Sequence, residues 1–322
     1  MLPRVVPRAA VALIGCGNIG FRHLQALTSG AEPATVIVVE PNVAAHERIN
    51  EHIAQTAGSS SKDVTLVAEL PAAPQTFDLV VVATTTDTRR AAVDALLDRH
   101  DVKVLILEKV LFPTIGDLGD VGRRLATQGV TGFVNCGRRT FPGYVALRHD
   151  LADEQINRID VRGNRFGLAS NAVHFLDLAE FLTGAGVVSV SASGLQPGLV
   201  PSKRPGSVEV FGTLSSELSD GSRIDIDCRD EDPISVGVTI ETDKRTVFVD
   251  ETAAKLTAGG VTRDFAWQTV SATTWIYDDA LRSGDCDLTP YADSARQHRA
   301  YLTALRPHLG LSNEADEPCP IS

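Results

Sequence analysis

Short apolar runs recur along the first third of the chain, and most neighbouring pairs are spaced to leave room for one helix. Residues 11–14, 35–40, 64–67, 77–83, 103–108 and 131–135 are rich in Val, Ile and Leu at consecutive rather than alternate positions. A strand that is apolar on both faces must be covered on both, which is the situation of a parallel strand between helices. Residues 20–27, 43–55, 87–99 and 115–128 carry helix-like patterning between these runs. Strand–helix alternation at this spacing predicts a doubly wound parallel sheet.

The pattern changes after Asn135. Helix-like 143–151 leads into an alternating segment, 158–165, and then into a second helix-like stretch, 171–182. Alternating runs follow at 187–195, 207–218, 223–229, 236–242, 245–250 and 261–267, separated by turn signals such as Ser219-Asp220-Gly221-Ser222 and Gly259-Gly260. Hairpin-connected strands need no crossover helix, so this half is expected to be an α+β domain with a largely antiparallel open sheet. Two last helices are expected at 272–282 and 290–305. The division expected is 1–135, 136–310 and a loose polar tail, 311–322.

The length of 322 residues suits two domains, and 43% hydrophobic against 22% charged residues excludes disorder for most of the chain. No apolar run approaches the ~20 residues that span a bilayer, so no membrane partner is expected. The 30 Lys and Arg are outnumbered by 41 Asp and Glu, a formal charge of −11 that argues against a nucleic-acid partner. Arg4 and Arg8 lead directly into the first strand, which reads as no secretion signal. The five cysteines are widely spaced with no CxxC, as in a reduced, cytoplasmic protein. No His, Cys and carboxylate spacing suits a metal, so no metal is expected.

Gly15-Cys16-Gly17-Asn18-Ile19-Gly20 is a GxGxxG between a strand and a helix. Gly15 can make the tight turn, Gly17 can let the backbone approach a pyrophosphate, and Gly20 can let helix and strand close up. Asn18 and Ile19 begin a helix whose N-terminus offers donors to the phosphates. Glu40 ends the second strand about 20 residues on, where an acid holds the adenosine ribose. The alternative is a structural turn with a chance glutamate. A carboxylate there repels a 2′-phosphate, and Pro41 and Asn42 offer no compensating cation, so the expected cofactor is NAD, with NADP second. Arg48, if folded back toward the ribose, would reopen that choice. Thr84 and Thr85 follow the fourth strand, on the crevice side of such a sheet; helix capping by Thr86 or Asp87 is the other reading of that segment. Glu108 and Lys109 end the fifth strand at the same crevice, where a lysine can bond a substrate hydroxyl or simply be solvated.

The motifs GCGNIG (15–20), EKV (108–110), NCGRRTFP (135–142) and NAVHFLDLAEFLTG (171–184) resemble the Gfo/Idh/MocA oxidoreductases, the glucose–fructose oxidoreductase and inositol dehydrogenase family. The resemblance extends to LTPYADSARQHRAYLTAL (288–305). It implies an N-terminal Rossmann domain, a C-terminal α/β domain whose open sheet often forms an oligomer interface, and a homo-oligomer (dimer or tetramer). It also implies NAD(P)-dependent oxidation or reduction of a carbinol or keto carbon on a sugar, amino sugar, nucleotide sugar or cyclitol, with Lys109 assisting.

His174 and Asp177 are spaced i, i+3 on one helix face, with Ser170 and Asn171 one turn earlier. Removing a hydroxyl proton during hydride transfer needs a base in reach, and a histidine titrates near neutral pH. The other reading is a buried histidine bonded to a carbonyl. The resemblance selects the first, because the family's catalytic histidine matches His174. Asp177 is then expected to orient His174 or hold a substrate hydroxyl, and Asn171 to contact substrate. Three positions depart from the family: Ser170 stands where an aspartate is common, Arg89-Arg90 where a histidine is common, and Val110 where proline is commoner. Arg138 and Arg139 suit an anionic or nucleotide-linked substrate, or equally a salt bridge between domains. Trp267, Trp275 and Tyr277 are sugar-stacking candidates, more readily core or interface. Two rivals stand beside a dehydrogenase. In one, bound NAD cycles internally in a lyase, epimerase or glycosidase; the other is a non-catalytic cofactor-binding regulator.

Overall fold

A computed structural model describes residues 8–312, 314 and 316–321; the ends of the expected first domain and tail at 1–7 and 322, with 313 and 315, lie outside the described residues. The chain forms β1 (Ala9–Ile14), α1 (Asn18–Ser29), β2 (Ala34–Val39), α2 (His46–Thr56), β3 (Lys62–Val67), β4 (Thr76–Val82), α3 (Thr86–Leu97), β5 (Asp101–Leu107), α4 (Ile115–Gln128) and β6 (Thr131–Val134). It continues with α5 (Pro142–Asp150), β7 (Ile156–Asn164), α6 (Leu168–Thr183), β8 (Val187–Leu195), β9 (Val200–Pro201), β10 (Val208–Glu209), β11 (Gly212–Leu218) and β12 (Arg223–Arg229). Last come β13 (Ser235–Thr242), β14 (Thr246–Asp250), β15 (Lys255–Ala258), β16 (Val261–Asp264), α7 (Thr274–Ser283), β17 (Thr289–Pro290) and α8 (Tyr291–Leu305).

Two compact units result. The first comprises the chain up to Glu108, Arg123–Asn135 and Thr269–Tyr291; the second comprises Lys109–Gly122, Cys136–Gln268 and the chain from Ala292 on. This differs from a single cut after residue 135. Ile276, Tyr277 and Ala280 of α7 join the apolar core of the first unit, so that helix returns to the first sheet late in the chain.

In the first unit the strand order is β3-β2-β1-β4-β5-β6-β17. All pairs are parallel except β17 against β6. Val11, Leu13, Val36, Val38, Leu79, Val81, Val104 and Ile106 pack one face, while Ala12, Val80, Val82, Leu105 and Leu107 are buried on the other. Burial on both faces accounts for the unbroken apolar runs. The chain winds outward from β1 to β3 and returns to β4, so the order reverses between β1 and β4. The loops after these two strands flank the switch point, where ligands bind in such sheets.

The second unit holds an eight-stranded sheet, β16-β15-β14-β13-β7-β12-β11-β8, antiparallel except for the β7–β12 pair. Here burial alternates: Ile159, Val161, Ile224, Ile226, Val238, Ile240, Val247 and Val249 are buried, while Arg158, Arg162 and Asp225 are not. Ten of the sixteen residues of the apolar helix α6 are buried, and it ends at Gly184 in the left-handed conformation that favours glycine. Two expectations are corrected. The run 207–218, expected as one strand, breaks into β10 and β11; a Cβ on Gly212 would stand 2.5 Å from the Gly194 carbonyl oxygen, and its φ is +102. The tail expected to be loose is docked: Cys319 and Ile321 are buried, and the Cys319 N–H reaches the Pro113 carbonyl at 2.8 Å. The buried Arg306 guanidinium donates to the carbonyls of Ser312, Glu314 and Glu317.

Candidate active site

The glycine loop of the first unit has a distinct fit at each glycine. Gly15 has φ +84, and a Cβ on it would lie 2.9 Å from the Thr84 nitrogen, so the loop lies hard against the segment after β4. A Cβ on Gly20 would lie 2.0 Å from the Gly15 carbonyl oxygen, whereas one on Gly17 would meet nothing within 4 Å. Gly15 and Gly20 are thus packing glycines, and Gly17 opens onto free space. Helix α1 has Gly17 as its N-cap with no side-chain cap, which leaves the amides of Asn18 and Ile19 for an anion. Beside it the Thr84 hydroxyl is buried with no partner. These features fit a pyrophosphate. Thr85 is the N-cap of α3, so the helix starts one residue earlier than a cap at Thr86 or Asp87 requires.

Glu40 is buried, and its two oxygens accept the Cys16 N–H at 2.6 Å and the Asn42 N–H at 2.8 Å. The carboxylate is thereby fixed beside the loop and keeps acceptor capacity for ribose hydroxyls. Arg48 folds back over the same loop. Its Nη2 donates to the carbonyls of Cys16 at 3.3 Å and Gly17 at 3.2 Å, and its guanidinium covers the Phe21 ring at 4.4 Å. Burial beside Glu40 pushes the Cys16 thiol up to about 12, so it is a packing group. Deeper in the unit, Glu108 Oε1 accepts Asn135 Nδ2 at 2.6 Å and His23 Nε2 at 2.8 Å, and His23 Nδ1 meets the Tyr277 hydroxyl at 2.6 Å. Tyr277 is therefore a buried polar anchor rather than a stacking platform.

The second unit gathers Lys109, Ser170, Asn171, His174, Arg138, Arg139 and Asp177. The Lys109–Val110 peptide is cis. Lys109 Nζ donates to the Ser170 carbonyl at 3.0 Å and to Asn171 Oδ1 at 2.9 Å. Asn171 is fixed in turn by its Nδ2 bond to the Phe166 carbonyl at 2.6 Å. His174 is partly exposed, and its Nδ1 is buried without a partner. Burial first, then the charges of Lys109 and Arg138 and the nearby His298, hold its pKa well below the ordinary 6.5. It is a neutral imidazole able to take a proton.

Asp177 is buried and bonds Arg139 Nη1 at 3.4 Å and Gln297 Nε2 at 3.5 Å, so it does not orient His174 through Nδ1. Arg138 grips both oxygens of Glu251, at 3.0 to 3.2 Å, and its guanidinium lies 4.0 Å from the Phe175 ring centre. The salt bridge expected as one alternative for this arginine is present, but inside the second unit. Trp267 is exposed on the surface of that unit. Sequence reasoning missed Glu209, Glu251, His23 and Gln297. Among the described residues no three His, Cys, Asp or Glu side chains come together as a metal site, and no helix is long and apolar enough to cross a membrane.

A family model, GFO_IDH_MocA, described as an oxidoreductase family with an NAD-binding Rossmann fold, matches residues 9–136. The match covers the first part of the chain, and residues 9–136 have the sequence of an NAD-binding Rossmann fold of that family. The glycine loop and Glu40 lie inside the matched, NAD-binding segment. Solved structures share the fold along nearly the whole chain. UDP-N-acetylglucosamine 3-dehydrogenase GnnA from Acidithiobacillus ferrooxidans is 17% identical with a TM-score of 0.72, covering 93% of this chain and 97% of that one. An oxidoreductase from Agrobacterium radiobacter in complex with NAD+, L-tartaric acid and magnesium is 16% identical with a TM-score of 0.72, covering 92% and 95%. A super-repressor mutant of Gal80p from Saccharomyces cerevisiae is 13% identical with a TM-score of 0.70, covering 94% and 96%. A search of the curated proteins finds no sequence match. Since these neighbours include both a dehydrogenase and a super-repressor mutant, likeness of fold does not choose a substrate for this chain.

Proposed function

We propose that this protein is an NAD-dependent dehydrogenase or reductase acting on one carbinol or keto carbon of a sugar, amino sugar, nucleotide sugar or cyclitol. The observation that carries the proposal is the Lys109–Asn171–His174 cluster at the start of α6, which pairs an ammonium donor with a neutral imidazole. In the oxidative direction His174 takes the hydroxyl proton, and Lys109 donates a hydrogen bond to the same oxygen. Asn171 holds Lys109 in place, and Arg139 with Asp177 buttresses the helix. In the reductive direction the imidazolium form of His174 returns the proton to the developing alkoxide while Lys109 keeps its hydrogen bond to that oxygen. The nicotinamide, when bound, supplies the hydride acceptor or donor. A sugar-like substrate is in keeping with the 3-dehydrogenase among the structural neighbours, whereas Arg138 and Arg139 are already paired with Glu251 and Asp177. We further propose a homo-oligomer.

The test is an absorbance assay at the nicotinamide band with NAD, NADP and their reduced forms against free sugars, amino sugars, uronates, inositols and nucleotide sugars. Substrate-dependent NAD turnover that is lost in Lys109→Ala and His174→Ala is the expected result. Near wild-type turnover in both variants would refute the assignment. NAD retained through purification with no net turnover would favour internal cycling. Light scattering gives the assembly size.

A further inference from the structure

Glu209 belongs to none of the sequence motifs, yet it reaches the catalytic cluster. It ends β10, and its carboxylate meets the first turn of α6. Oε2 accepts the Ala169 N–H at 2.8 Å, and Oε1 accepts the Ser170 hydroxyl at 2.9 Å. Lys109 Nζ bonds the carbonyl of that same Ser170. Ammonium and carboxylate therefore grip one residue, one at its carbonyl and the other at its hydroxyl. Gly167, at φ +79, leaves the space: a Cβ there would stand 2.7 Å from Ser170 Oγ and 3.2 Å from Glu209 Oε1.

Capping α6 accounts for the two bonds of Glu209, because the N-cap Gly167 has no side chain of its own to offer. It does not account for a charge half withdrawn from water, which is retained where a counter-charge stands close. Burial pushes the Glu209 carboxyl up, while the Ser170 hydroxyl, the helix amides and the Lys109 charge pull it back. The other titratable groups near Glu209 are Cys228 of β12 and Tyr301 of α8. Burial raises both, the thiol to about 11, so both are neutral at neutral pH. Lys109 also feels Cys136, whose thiol burial raises, and His174, which is neutral.

We propose that Glu209 is a positioning residue, a nearby counter-charge that, across Ser170, favours the ammonium form of Lys109 beside His174 and so helps assign the donor role to one and the base role to the other. Its use in catalysis rests on the dehydrogenase reading above; the charge coupling through Ser170 does not. Competitive acetylation of the whole cofactor-free protein against pH, read at Lys109 by peptide mass spectrometry, tests the coupling without turnover. Glu209→Gln is expected to lower the Lys109 midpoint by about one pH unit, a roughly tenfold change in proton affinity. Glu209→Asp, which keeps the charge, is expected to stay near wild type. Identical midpoints in wild type and Glu209→Gln would overturn the coupling. In case Glu209→Gln does not fold, the reciprocal variant decides: in Lys109→Met an infrared titration should find the Glu209 carboxyl protonating at higher pH, and no such shift would overturn the coupling as well. On any substrate turned over, Glu209→Gln should lower kcat, leave KM for NAD unchanged and bring the alkaline limb of the rate profile to lower pH. A shifted Lys109 midpoint with unchanged turnover would leave the coupling standing and overturn its catalytic use.

Discussion

The glycine loop allows one motif to be split into a structural and a ligand-binding part by two single methyl groups. An alanine Cβ at position 20 would sit 2.0 Å from the Gly15 carbonyl oxygen, where carbon and oxygen ordinarily come no closer than about 3.3 Å. The loop or α1 must then move by more than an ångström, and overpacking of that kind costs about 1–3 kcal/mol. At about 2–4 °C per kcal/mol for a unit of this size, Gly20→Ala should lower the Tm of the first unit by several degrees. At position 17 the same methyl meets nothing within 4 Å, and the φ of −64 is ordinary for alanine. Gly17→Ala should therefore cost only the difference between glycine and alanine as N-caps, about 1 kcal/mol or less. Its methyl would stand in the space through which a pyrophosphate approaches the α1 amides. The expected result is a Kd for NADH at least about tenfold weaker by fluorescence titration, equal to ~1.4 kcal/mol, with a nearly unchanged melting curve. Wild-type NADH affinity in Gly17→Ala would refute the placement of the cofactor, whatever happened to stability.

Three further predictions follow from the charges. His174 must be neutral to act as base and its pKa lies well below 6.5, so oxidative kcat/KM should stay on its plateau to below pH 6.5; an acid limb at or above that pH would remove His174 from the role. The same direction of shift at His52, His100 and His174 means that the unfolded chain binds protons the folded one refuses. Their contribution to stability is complete above about pH 6.5 and is lost as pH falls below it, which urea midpoints between pH 7 and 5 would show. Glu40→Ala removes a carboxylate that accepts two backbone amides beside the loop; NADH should weaken about ten- to a hundredfold, and NADPH should gain relative to it because Arg48 remains over the loop.

The first sheet was legible because its code is local. Parallel strands buried on both faces write unbroken apolar runs, and GxGxxG fixes the turn after the first of them. The return of α7 to that sheet was not legible. Residues 274–283 read as a helix, but only packing tells which core receives Ile276 and Tyr277. The polar, proline-containing tail read as loose for a similar reason: what docks it is one buried arginine, Arg306, collecting carbonyl oxygens, and carbonyls carry no side-chain signature.

The site divides in the same way, and the division bears on how its chemistry is held. Lys109, Asn171 and His174 lay within motifs and could be named in advance. The carboxylates around them could not: Glu209 meets Ser170 across 39 residues, and Glu251 meets Arg138 across 113. Ser170 illustrates the cost of reading single positions. Taken alone it is an aspartate position that has lost its charge, which argues for an impaired or non-catalytic protein. In the fold its hydroxyl is bonded to a carboxylate delivered by β10, so a negative charge is present at that turn of α6 after all. Asp177 shows the converse, since its i, i+3 spacing to His174 was right while its partners proved to be Arg139 and Gln297. Helical spacing fixes which residues share a face; the proton inventory of that face depends on strands and helices far away in sequence. An argument against catalysis from Ser170 alone therefore fails, and a variant that keeps Ser170 but removes the Glu209 charge is the sharper probe of whether this cluster works as an acid–base pair.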